Sequence, residues 1–205
     1  MKLTFYGGAQ MVTGAQYLLE HDGARMLIDC GLHQGSNFCE RHNWEPFSYD
    51  PSSVSAVCAL HAHIDHVGLL PRLVREGFRG TVYSTPPTRA IAEISLLDSE
   101  HILAEEAARF KEPPLYGASD VAALMARWKG IRYREAVTVG PFRVTLYNAG
   151  HILGSAFALV EAGGKRVVFS GDLGNAPAPL IGAREDPPEA DYALVESTYG
   201  GRVHE

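Results

Sequence analysis

The stretch LHAHIDHVG, Leu60 to Gly68, decides how this chain is read. His61, His63, Asp65 and His66 crowd six positions directly after the apolar run VSAVCAL. Alternate side chains of an extended segment share a face, so His61 and His63 can grip one ion together. Asp65 and His66, where the chain turns into a helix, can grip a second ion beside it. Imidazole and carboxylate donors suit Zn2+, at roughly 2.0–2.2 Å. Two such ions about 3.5–4 Å apart clamp the attacking and leaving oxygens of an in-line displacement, and a water bridging them is a hydroxide near neutral pH. A single histidine after a strand is more often a hydrogen-bonded core or surface residue than a ligand. Four such groups buried without metal would leave several costly unpaired polar atoms.

The same pattern recurs outward from this segment. MLI runs into Asp29, LYNAG into His151, VVFSG into Asp172 and YALV into Glu196. Sites in open α/β sheets lie beyond the carboxyl ends of strands. Five distant segments are therefore expected to converge on one edge. Taken singly, each residue has an ordinary reading: His151 as a core histidine, Asp29 and Asp172 as turn aspartates, Glu196 as a solvated strand end. Their joint occurrence favours the site. Gly150, Gly154, Gly171 and Gly174 flank these groups, and small residues there let the backbone approach an ion or phosphate.

The apolar patterning predicts strands at 3–6, 15–20, 25–28, 54–60, 80–84, 138–140, 142–147, 157–161, 166–170 and 192–196. Helices are expected over 67–76, 88–110 and 119–128, with a polar, aromatic loop over 31–50. Strands interspersed with helices imply a layered α/β domain. At 205 residues the chain is read as one domain, 1–205. Three cysteines without a CxxC read as free thiols of a reducing, cytoplasmic setting. No apolar run is long enough to span a bilayer, so no membrane partner is expected. A net charge of −6 argues against broad, unspecific adhesion to nucleic acid, but not against a nucleic acid held locally by metal ions.

The pattern H-x-H-x-D-H resembles the signature of the metallo-β-lactamase fold. GGAQMVTGAQYLL, IDCGLHQGS, AGHILGSA, FSGDLGN and ESTYG together resemble its β-CASP branch of RNA-processing nucleases. The resemblance covers nearly the whole chain and implies an α/β fold, the αββα four-layer metallo-β-lactamase sandwich. It implies that His61, His63 and His151 hold a first Zn2+, that Asp65 and His66 hold a second, and that Asp172 bridges the two. Mn2+ is the alternative metal. Asp29 would orient the ligand loop without being a ligand. Glu196 matches the acidic residue that orients a catalytic histidine near the leaving group, so Asp65, Asp172 and Glu196 form the expected catalytic set. RNA is the implied partner. His33 is read as a possible neighbour of the ligands, and His204 as a weak further candidate.

Two departures carry expectations of their own. Leu60 stands where the family usually has a hydroxyl residue, which removes a hydrogen bond behind the ligands and should have a modest effect. Family members continue after ESTYG into a cap domain and return to complete the fold, so the sandwich is expected to be incomplete at the C-terminus. The returning part supplies another histidine for the second ion, the histidine that acts as acid, and much of the RNA-holding surface. The first site is therefore expected to bind metal more tightly than the second. An open sheet edge invites a homo-oligomer. The leading reading is a zinc-dependent hydrolase of RNA phosphodiesters. Its alternatives are a small-molecule hydrolase of thioesterase or lactonase type, or an inactive metal-binding fragment.

Overall fold

The computed structural model describes residues 1–175 and 179–201, with backbone only at 37 and 38. His204 lies outside the described residues. Six strands form the first sheet, in spatial order β1 (Lys2–Gly7), β2 (Gln16–His21), β3 (Ala24–Ile28), β4 (Ala56–Cys58), β5 (Thr81–Ser84) and β6 (Trp128–Gly130). β1, β2 and β3 pair antiparallel, and β3 to β6 pair parallel. The second sheet runs β11 (Tyr192–Leu194), β10 (Lys165–Phe169), β9 (Ala156–Ala162), β8 (Phe142–Asn148), β7 (Ala136–Val139). Its β10–β11 pair is parallel and the remaining pairs are antiparallel.

Period-two alternation sorts the side chains into layers. Leu19, Met26 and Ile28 of the first sheet meet Phe142, Val144, Leu146, Val160 and Phe169 of the second in one buried cluster. Leu18, Leu27, Val57 and Val82 point the other way and pack against the helices α3 (Leu70–Arg75), α4 (Pro86–Phe110) and α5 (Ala118–Met125). The result is helix, sheet, sheet, the order expected of the sandwich. On the outer face of the second sheet Phe157, Leu159 and Val168 make a small cluster to which no helix among the described residues contributes. Tyr147 and Phe157 stack there with ring centroids 5.1 Å apart.

Several element boundaries differ from expectation. β4 stops at Cys58, because the amide of Leu60 turns away from the ladder to the Asp29 carboxylate at 2.8 Å. The helix expected over 67–76 is two short helices, α2 (Ile64–Val67) and α3, because Pro71 cannot donate to a continuous ladder and the Leu69 amide bonds the Cys30 carbonyl instead. Trp128 opens β6 and does not close α5; its indole donates to Ser84 Oγ at 2.8 Å. The 31–50 loop contains α1 (Asn37–Arg41), capped by Ser36, and a 3-10 turn at His42–Trp44. Cys30, Cys39 and Cys58 are all free thiols. Among the described residues no helix is long and apolar enough to cross a membrane.

Candidate metal centre

The end of β3 sets the site. Asp29 is fully buried and adopts φ 57°, a left-handed conformation that aspartate tolerates better than most residues. One of its oxygens accepts the Leu60 amide at 2.8 Å, and the other lies 2.7 Å from His66 Nδ1. Asp29 therefore ties down both ends of the 60–66 segment. Backbone bonds repeat the tie: Cys30 N to His66 O at 2.8 Å and Leu32 N to Ile64 O at 2.9 Å. Gly31 lies so close to this segment that a Cβ would overlap the Asp65 carbonyl. The Leu60 carbonyl accepts the Ala156 amide at 2.8 Å, joining the ligand segment to the second sheet. Leu60 itself is buried in the inter-sheet core.

The second sheet supplies the opposite wall. The His151 loop is curled around Ser155, whose hydroxyl accepts the amides of His151 at 3.0 Å and Ile152 at 3.1 Å. Thr85 and Thr88, at the start of α4, donate to the Gly154 carbonyl at 2.6 and 2.8 Å. Beyond β10 the Asp172 loop is fixed by Glu196, whose oxygens accept the Leu173 amide at 3.2 Å and the Thr198 amide at 3.0 Å. Gly174 meets the Gly150 carbonyl so closely that a Cβ would overlap it. Two of the flanking glycines thus let backbone approach backbone, Gly174 at Gly150 and Gly154 at α4, whereas the sequence suggested an approach to ions.

These two walls bring the predicted groups together. One ligand atom each of His61, His63, His151 and Asp172 lies within 4.8 Å of all the others. His61 Nε2 is 3.0 Å from His63 Nδ1, and His151 Nε2 is 3.2 Å from that same Nδ1. Asp172 Oδ2 lies 3.6 Å from His61 Nε2 and 3.5 Å from His151 Nε2. Its other oxygen, Oδ1, lies 3.3 Å from His66 Nε2, which is 3.9 Å from Asp65 Oδ2. Asp172 thus faces two groups of donors, one with each oxygen. His63 is exposed and marks the open side of the centre.

The electrostatics match the geometry. Burial, then the neighbouring rings of His66, His63 and His151, hold the His61 pKa well below its ordinary value, so His61 is neutral. Burial also lowers His151, against the pull of Asp172. Burial disfavours a charged His66 too, but Asp29 and Asp172 outweigh it and raise its pKa to about 10. Burial raises Asp29, opposed by His66, and its carboxylate accepts the Nδ1 proton. With its pKa raised, the His66 ring carries a proton on Nε2 as well, directed at Asp172. Burial works against an ionised Asp172 as well, yet His66, His151 and His63 keep its pKa below the usual carboxylate value. Three clustered imidazoles around a carboxylate, with one ring buried and neutral, are a donor set suited to a divalent cation.

Other sequence candidates fall elsewhere. His33 is held by Asn43 through its backbone and faces the His42 ring at 5.7 Å. His101 is a surface residue beside Glu100 at 3.6 Å. The Glu196 carboxylate bonds backbone amides and not a histidine among the described residues. Ser155, Thr85, Thr88 and Asn148 position the His151 loop; of these, Ser155 lies in the AGHILGSA motif and Asn148 in the LYNAG run, and neither pattern marks its side chain as a brace. A cleft of about 370 Å³ opens beside His66 and Asp172, bordered by Phe5, Met11, Tyr17 and Val195.

The sequence model of the metallo-beta-lactamase superfamily matches residues 12–199. The chain is 40% identical over 204 residues to Ribonuclease TTHA0252 of Thermus thermophilus, spanning all of this chain and 45% of that protein. It is 30% identical to Cleavage and polyadenylation specificity factor subunit 3 of Dictyostelium discoideum, covering 26% of it, and 34% identical to Transcription termination factor FttA of Methanosarcina mazei, covering 32%. The chain thus spans less than half the length of these relatives. Among solved structures, a protein of unknown function from Enterococcus faecalis V583 superposes with TM-score 0.54 at 18% identity, over 83% of this chain and 43% of that one. The shared layers, the ligand segment at the strand ends and the match along 12–199 lead to one conclusion: the chain belongs to the metallo-beta-lactamase superfamily.

Proposed function

We propose that this chain carries the metal centre of a β-CASP-type ribonuclease that hydrolyses RNA phosphodiesters. The observation that carries the reading is Asp172, which directs one oxygen at His61 and His151 and the other at His66. His61, His63, His151 and Asp172 would hold a first Zn2+, and Asp65, His66 and Asp172 a second. Such ions supply Lewis acidity that acidifies water and neutralises charge on phosphoryl oxygens. The chain's own residues do the positioning. Asp29 accepts the Nδ1 proton of His66 and so makes Nε2 the nitrogen that would ligate, once it gives up the proton it carries in the metal-free ring. Glu196 fixes the amide of Leu173 and with it the direction of the Asp172 carboxylate. Exposed His63 leaves the centre open to a polymeric substrate. Relatives named as ribonucleases and as a cleavage factor support RNA as the substrate class. The first site, with four donors, binds more tightly than the second, with three among the described residues.

The test is elemental analysis per chain alongside cleavage of a labelled RNA. Wild type should carry zinc and cleave, EDTA should stop it, and His63→Ala and Asp172→Ala should be inactive. Equal cleavage by wild type and both variants would remove the assignment. Self-association through the edge of β11 belongs to the same reading, and a monomer in chromatography at all concentrations would exclude it.

A further inference from the structure

Basic residues in and around the second sheet are mostly engaged. Arg143 pairs with Glu161, Lys165 with Asp191 at 3.0 Å, and Arg134 with Glu185 at 2.6 Å. Arg184 differs. It is exposed and has no carboxylate partner among the described residues.

Its place is nevertheless enforced. The Asn148 side-chain amide donates to the carbonyls of Gly182 at 3.0 Å and Ala183 at 3.2 Å. On the other side of Arg184, the Glu185 amide donates to Asn148 O at 2.9 Å, and the Glu185 carboxylate accepts the Asn148 amide at 3.0 Å. Residues on both flanks of Arg184 are thus bonded to the residue three positions before His151. The backbones touch: a Cβ on Gly150, which has φ 67°, would stand 2.8 Å from the Arg184 nitrogen and 3.2 Å from its Cβ. The backbone of Arg184, which carries a guanidinium without a carboxylate partner among the described residues, is therefore seated against the loop that presents His151 to the metal centre.

We propose that Arg184 is a substrate-positioning residue that holds a backbone phosphate of RNA next to the one at the metal centre; this rests on the ribonuclease reading. Chain and substrate are both anionic, with a net charge of −6 on the protein. Asp65, Asp172 and Glu196 add negative charge at the centre, and the metals offset charge only at the reacting phosphate. A neighbouring phosphate needs its own cation. The planar guanidinium fork matches phosphate oxygens in a way an ammonium does not.

The experiment compares wild type with Arg184→Ala, Arg184→Lys and the control Arg143→Ala, which removes the same charge from a paired surface position. Each is assayed for zinc content, for KM and kcat on a labelled single-stranded RNA, and for binding of a phosphorothioate RNA against salt. For Arg184→Ala we expect unchanged zinc, a KM raised about tenfold with a much smaller change in kcat, and a salt slope lower by about 0.7. Lysine should restore part of the affinity, and Arg143→Ala should match wild type. Wild-type KM and slope in Arg184→Ala, or an equal loss in Arg143→Ala, overturns the role of Arg184 alone. A wild type that neither binds nor cleaves RNA overturns the ribonuclease reading, and the phosphate role with it.

Discussion

Asp29 Oδ2 lies 2.7 Å from His66 Nδ1 deep in the protein, while Oδ1 of the same carboxylate takes the Leu60 amide at 2.8 Å. One side chain thus fixes both the ring orientation of His66 and the start of the ligand segment. In Asp29→Asn the single amide oxygen can accept from only one of these donors, and its NH2 faces the other. On the two-ion proposal, the metal at His66 should bind roughly 10–100-fold more weakly, with stability lower by about 1–3 kcal/mol. Metal titration and urea unfolding read the two effects, and unchanged second-site affinity would show that the pair does not orient the ligand.

The division of Asp172 between two donor groups predicts a stoichiometric pattern. On the two-ion proposal, His66→Ala should lower bound metal from two ions towards one. Asp172→Ala should weaken both sites, because each faces one of its oxygens. Metal content after dialysis distinguishes the two; retention of two ions by either variant would refute the shared carboxylate.

Gly31→Ala places a methyl group into the Asp65 carbonyl, which itself accepts the Ala15 amide at 2.9 Å. Backbone cannot yield there without displacing Asp65 and His66. We expect a loss of about 3 kcal/mol in chemical denaturation together with weakened second-site metal binding. Wild-type stability would mean that this close approach is not needed.

Burial holds the phenols of Tyr17 and Tyr133 protonated up to about 12, and Tyr133 donates to the Ser155 carbonyl at 2.8 Å. The unfolded chain ionises its tyrosines near pH 10, earlier than the folded one, so the unfolded state binds fewer protons in that interval. Stability should be whole below about pH 10 and fall as pH rises through 12. Tyrosinate absorbance followed against pH, with unfolding midpoints alongside, tests this. Titration of all tyrosines near pH 10 in a folded protein would contradict it.

Much of this protein was legible in one dimension. Alternating apolar residues located most strands, since burial on a pleated surface has a period of two. The density of ligating groups at 61–66 marked the centre, because such groups are costly to bury unless they share a cation. The five strand-end motifs were legible for the same reason. What the chain order could not show is how the walls are held apart at the right distance. The Thr85 and Thr88 hydroxyls on Gly154 come from residues ordinary in sequence, and the motif residues Ser155 and Glu196 gave no sign that they hold the His151 and Asp172 loops through backbone amides. The exchange of the Leu60 amide from its strand to Asp29, and the turn of Trp128 into β6, follow from hydrogen bonds between segments 31 and 44 residues apart. Local pattern governs which face of an element is apolar. Only the packing of both sheets decides which polar groups are left to complete each other, and so which carboxylate stands between two sets of imidazoles.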